Sequence, residues 1–144
     1  MIDNTQKADT YRMLKVRLKK ALASAFWFEA LMIEYAIIED RTSSILEYGK
    51  VCKDPYSANK LLTNKLRSIK LQIEKGHPVL SRKVDSQLID DILTWKEERN
   101  TLVHRSCNSV YSEELAKEIA ESGNDLVRRL DNDSRKVRNA CRKK

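Results

Sequence analysis

Three glycines and two prolines are the only strong chain breakers in 144 residues. A β-sandwich or barrel needs a turn signal roughly every 8–12 residues, and this chain does not supply them. Few stretches alternate strictly between polar and apolar residues, so no sheet is expected. Long helices remain. With 41% hydrophobic and 34% charged residues, the chain can fill one core and solvate the outside. The expectation is an all-α, single-domain, up-and-down bundle of four to five helices spanning residues 1–144. No repeat, low-complexity segment or second domain is apparent.

Residues 1–8 read as a frayed leader. Asp9 is a candidate cap for a first helix whose polar side carries Arg12, Lys15, Arg17, Lys19 and Lys20. The pattern runs without a breaker to Tyr48 and Gly49, with Ser24 as a bend or fresh cap. From Ala25 to Ile38 this segment is apolar almost all round, which calls for burial on every side. In so small a chain, a second subunit is one candidate for the covering surface. Glu34 and Arg41 fall seven apart on nearly one face of it. Buried charges need partners, so the two are expected to pair with each other or with a facing helix. After a connection containing Pro55, Ser57 reads as the cap of a helix to about Lys75, stopped by Gly76-His77-Pro78. Its stripe is Leu61, Leu62, Leu66, Ile69 and Ile73; its basic side includes Lys60, Lys65 and Lys70. His77, in a loop before proline, reads as structural. A further helix begins near Arg82 to Asp85. Ser112 caps a last one, acidic at its start and basic at its end, with Gly123 weakening its middle. Residues 135–144 read as a fraying basic tail.

The net charge of +7 favours a polyanionic partner, nucleic acid before an anionic membrane surface. Cys52, Cys107 and Cys141 are odd in number and form no CxxC pair, which points to a reducing compartment. His104 and Cys107 have a metal-like spacing without a second ligand pair, so no metal site is expected. The N-terminus has no apolar signal segment. The most apolar run is too short to span a bilayer and contains Glu29 and Glu34. A cytoplasmic protein follows as the expectation.

One stretch stands out chemically: Trp95-Lys96-Glu97-Glu98-Arg99-Asn100-Thr101-Leu102-Val103-His104. It carries one of only two histidines, the side chain that both takes and gives a proton near neutral pH. Val84, Leu88, Ile92, Trp95 and Leu102 share a helical stripe, and Arg99 falls inside it. An arginine there is either buried against an acid such as Glu34 or lining a cleft. His104 lies about 140° further round the helix. One straight helix therefore cannot aim both at one point. Either it unwinds near Val103, or a two-fold axis brings two copies together. The plain alternative makes Arg99 a buried ion-pair member and His104 a helix-terminal cation.

The run Arg99 to His104 resembles the signature of the HEPN superfamily (higher eukaryotes and prokaryotes nucleotide-binding domain). That signature is an Arg, usually followed by a polar residue such as Asn100, and a His after four to six intervening residues. The helix with Glu34-Tyr35-Ala36-Ile37-Ile38-Glu39-Asp40-Arg41 is similar to the first core helix of such domains. The resemblance covers about residues 24–140. It implies a dimeric helical bundle, with both motif copies in one cleft, acting as a metal-independent endoribonuclease without cofactor. It also implies a role as a toxin or antiviral effector, with an antitoxin as a candidate protein partner. Members that have lost activity serve as binding modules. On this sequence, His104 would be general base or acid and Arg99 would hold the scissile phosphate, with Asn100 orienting them. Glu34 and Arg41 would support the site. A toxin subgroup carries a modifiable Tyr two residues after the His. Ser106 stands there, which puts membership of that subgroup in question.

Overall fold

The computed structural model describes residues 3–56, 60–108 and 111–142. Six helices follow one another: α1 (Asn4–Ala23), α2 (Trp27–Tyr48), α3 (Leu62–Glu74), α4 (Leu80–Lys83), α5 (Ser86–Arg105) and α6 (Glu113–Arg142). The all-α class is as expected, and no strand occurs among the described residues. The helix number exceeds the expected four to five because the segment after Gly76-His77-Pro78 forms its own short helix, α4, before α5 begins.

Helix ends explain the boundaries. Asp3 accepts from the Gln6 backbone N–H while Gln6 reaches back to the Asp3 N–H, a reciprocal cap that starts α1 at once. The segment 4–8, expected as a frayed leader, is therefore helical. Between α1 and α2 the chain reverses through Ala25 at φ 59. The Phe26 N–H then closes onto the Ala21 carbonyl at 2.9 Å, the bond that ends a helix through a left-handed residue. Gly76, at φ 77, does the same work after α3 without a side-chain penalty. His77 is a structural clamp: Nδ1 accepts from the Val79 and Leu80 N–H groups, each at 3.1 Å, which leaves Nε2 to donate to the Gly49 carbonyl at 2.9 Å. Asp85 caps α5 and Ser112 caps α6 through the Gln87 and Leu115 N–H groups. The expected cap at Ser57 lies outside the described residues. Helix α3 is described from Leu62.

Contacts fix the directions. Arg17 reaches Glu29 near the first turn, and Lys7 reaches Asp40 farther along, so α1 is antiparallel to α2. Glu34 lies against Gly123 and Tyr48 beside Arg142, so α2 and α6 run the same way. The Trp95 indole N–H donates to the Ile119 carbonyl, while the Asp85 N–H donates to Asp133, so α5 opposes α6. Helix α3 links α2 to α5 through Lys65 to Ser43 and Lys70 to Asp90.

Helix α2 runs through the centre. Ala30, Leu31, Ile37, Ile38, Ile45 and Leu46 share one core with Leu88, Ile89, Ile92 and Trp95 of α5 and Ile119, Leu126, Val127 and Leu130 of α6, and α6 covers α2 most extensively. Burying each such aliphatic side chain contributes about 1.5–3 kcal/mol. The seal is incomplete at its N-terminal half, where Phe28 and Met32 stay 41% and 67% exposed. Expected burial on every side therefore fails within the chain. The basic end of α6 is not a frayed tail either: Val137 is fully buried, and the helix continues to Arg142. Lys65, on the basic side of α3, is buried and donates to Ser43 Oγ at 2.9 Å.

Candidate functional site

Arg99 and His104 both sit on α5, one in its body and one in its last turn. Arg99 is half-buried. Its guanidinium carbon lies 4.5 Å from the centre of the Tyr35 ring on α2, a cation–π stack. One terminal N–H donates to the Asn100 side-chain oxygen at 3.0 Å, and Nε is buried without any partner. Among the described residues no carboxylate pairs with it. Arg99 therefore takes the second of its two expected places and lines a cleft. That cleft, about 420 Å³, is walled by Met32, Tyr35, Glu39, Asp40, Tyr56 and Lys65. Burial and the nearby Glu39 push the Tyr35 phenol above its usual range, so it stays a neutral hydroxyl beside the guanidinium.

His104 is exposed and makes no hydrogen bond, ion pair or ring contact among the described residues. The helix stays intact through Val103 to Arg105, so unwinding does not bring it towards Arg99. Within one subunit the two side chains diverge, as helical geometry requires. Asn100 touches Arg99 and holds its plane.

Glu34 and Arg41 do not join this group or each other. Glu34 is fully buried, and neither of its oxygens has a hydrogen-bond partner. It fills a niche made by Gly123 on α6 and Trp95 on α5. A Cβ on residue 123 would fall 2.8 Å from Trp95 Cζ2 and equally close to the Glu34 carboxyl carbon. Gly123 is thus a packing residue more than a weak point of α6. Desolvation without a compensating cation pushes the Glu34 carboxyl up to about 9, so it is neutral at physiological pH. Its seven-residue spacing from Arg41 does not become a contact because Arg41 finds a nearer acid. Arg41 pairs with Asp40 and stacks on the Tyr11 ring at 4.6 Å. It opens into a second cleft, where Arg135, Arg138 and Arg142 converge. The sequence signal for that convergence was the acid-free end of the chain.

No cluster of three His, Cys, Asp or Glu side chains suited to a metal occurs among the described residues, and no helix among them is long and apolar enough to cross a membrane. Cys52, Cys107 and Cys141 are all free thiols. No family model, curated protein or solved structure matches the chain.

Proposed function

We propose that the chain is one subunit of a homodimeric, metal-independent endoribonuclease of the HEPN type, working in the cytoplasm as a toxin or defence effector. The observation that carries this reading is the state of Arg99: a half-buried guanidinium on an aromatic ring, facing a cleft with no carboxylate bound to it. A cation held this way is available to a phosphate. His104, exposed five residues on, is free to handle a proton.

The two diverge within one subunit, so the reading requires a second copy. The exposed Met32 lines the Arg99 cleft from α2, and Phe28, one turn earlier on the same helix, is exposed and stacks with Tyr111 at 5.4 Å. An apolar strip there suits a two-fold contact that places both motifs in one groove. In that groove His104 takes the proton of a ribose 2′-hydroxyl. The 2′-oxygen attacks phosphorus, the 5′-oxygen leaves and takes a proton from a protonated His104 imidazolium in the shared groove, and Arg99 neutralises the charge building on the phosphoryl oxygens. The products are a 2′,3′-cyclic phosphate and a 5′-hydroxyl end.

RNA incubated with the protein in excess EDTA is the direct test. Wild type is expected to yield cyclic-phosphate ends, and Arg99→Ala and His104→Ala are each expected to lose cleavage by about 10²-fold or more. Variants that both cleave like wild type sink the assignment. The divergence of Arg99 and His104 within one subunit favours a second reading, a module that binds RNA or a protein partner without turnover. RNA left intact after long incubation at high protein concentration, with salt-sensitive binding retained, selects it.

A further inference from the structure

The second cleft lies between α1, α2 and the C-terminal turns of α6 and encloses about 500 Å³. Six cations line it: Lys7, Arg12, Arg41, Arg135, Arg138 and Arg142. Glu47 and Asp131 line the cleft with them, and Lys7 and Arg41 pair with Asp40, Arg12 with Asp9 and Arg135 with Asp131, so that Arg138 and Arg142 are the cations without a carboxylate among the described residues. Several of the cations are fixed in place. Arg41 is 8% exposed and held by Asp40 and the Tyr11 ring. Arg142 reaches the Tyr48 hydroxyl at 3.4 Å and lies over its ring. Arg135 shares Asp131 with Lys15. Arg138 is half-buried yet bonds to nothing among the described residues.

Cations in the last turn of a helix offset its dipole, and that explains Arg142. It does not explain Arg135 and Arg138, which lie one to two turns earlier and face the same concavity as Arg41. Solvated surface charge does not explain Arg138, which is half-buried, or Arg41, which is drawn into the floor. A half-buried guanidinium that no carboxylate neutralises, lining the same cleft as a buried one, favours an anionic ligand.

We propose that this cleft is a binding site for a compact polyphosphate, a chain of two or more phosphoryl groups, either inorganic or carried by a nucleoside. The cations surround a cavity instead of forming a track, which fits a small ligand better than an extended nucleic-acid strand. The Tyr11, Tyr48 and Tyr56 hydroxyls supply further polar groups at the rim. Burial and the neighbouring Asp131 raise the Tyr11 phenol well above its usual range, and its hydroxyl donates to Asp131 at 3.1 Å. The site stands apart from the Arg99–His104 reading and is tested without RNA.

Calorimetric titration of the full chain with tripolyphosphate, and separately with ATP, both in EDTA and physiological salt, reads the proposal. Saturable binding of tripolyphosphate at one site per chain is expected. Arg138→Ala is expected to weaken it about tenfold, against less than about twofold for Lys117→Ala, which removes the same charge elsewhere on α6. Thermal melts that match wild type show that Arg138→Ala remains folded; if it does not, Arg138→Lys, which keeps the charge and loses the fork, takes its place with the same expected loss. Equal affinity for the two ligands assigns the site to the phosphate chain, and tighter ATP binding assigns it to a nucleotide. Three outcomes overturn the proposal: no saturable binding of either ligand, equal weakening by Arg138→Ala and Lys117→Ala, or single-stranded RNA bound here without competition from tripolyphosphate.

Discussion

Glu34 is the residue whose chemistry departs furthest from its sequence appearance. It lies at 0% exposure with both oxygens unbonded, and its carboxyl titrates at about 9 against 4.5 for a free glutamate. Between those values the folded state holds one proton more than the unfolded chain. Its contribution to stability is therefore fully present below about pH 4.5, declines as pH rises, and is lost through about pH 9. Glu34→Gln removes the titration and keeps the shape. Its melting temperature should depend less on pH than that of wild type between pH 5 and 9. Glu34→Met removes the unpaired polar group as well, and at pH 8 should stabilise by about 1–3 kcal/mol in denaturant melts. A wild-type profile as flat as that of the Gln variant would mean that the buried carboxyl finds a partner in solution. The sequence marked Glu34 as a buried acid needing a partner. It could not show that Arg41 and Arg99 are taken by Asp40 and by the Tyr35 ring, because rank of partners is a matter of distance in three dimensions.

Helices α2, α5 and α6 meet at Gly123. Helix propensity alone favours alanine there by about 1 kcal/mol. Packing opposes it, because a methyl group would press on Trp95 Cζ2 and Glu34 at 2.8 Å. Overpacking of this kind costs about 1–3 kcal/mol, so after the propensity gain Gly123→Ala should lower stability by up to about 2 kcal/mol. The loss should shrink in a Glu34→Ala background, where the niche is vacated; a double-mutant cycle in urea measures the coupling. Helix positions were legible because apolar spacing survives in a sequence with few breakers. The cap at Ser112 was legible as well, whereas Asp9, read as a cap, lies inside α1, which Asp3 caps. Two ends were not legible. Residues 4–8 join α1 through the Asp3–Gln6 reciprocal cap, and residues 135–142 stay helical because Val137 finds a buried place against the bundle. Read alone, both segments are merely polar.

Over the whole molecule, the chain leaves Met32 exposed beside the Arg99 cleft and a basic cavity open at the far end of α2. The proposed two-fold contact uses the first. Sedimentation of wild type should show a dimer, and Met32→Glu should shift it to a monomer with an unchanged far-UV spectrum and a loss of RNA cleavage. Met32 is 67% exposed, so the fold of one subunit should tolerate the charge. A monomeric wild type that still cleaves RNA would remove the reason for a shared site.

The sequence by itself determined the class of fold, the central apolar helix and the angular separation of Arg99 from His104. These depend on spacing along a helix, which is a local property. Tertiary structure decided what each charged side chain touches. It placed Glu34 alone behind Gly123, set Arg99 over Tyr35 at a cleft, and gathered Arg41 with the α6 arginines around a cavity. Those outcomes depend on which helices cross where, and packing settles that only when all of them are in place.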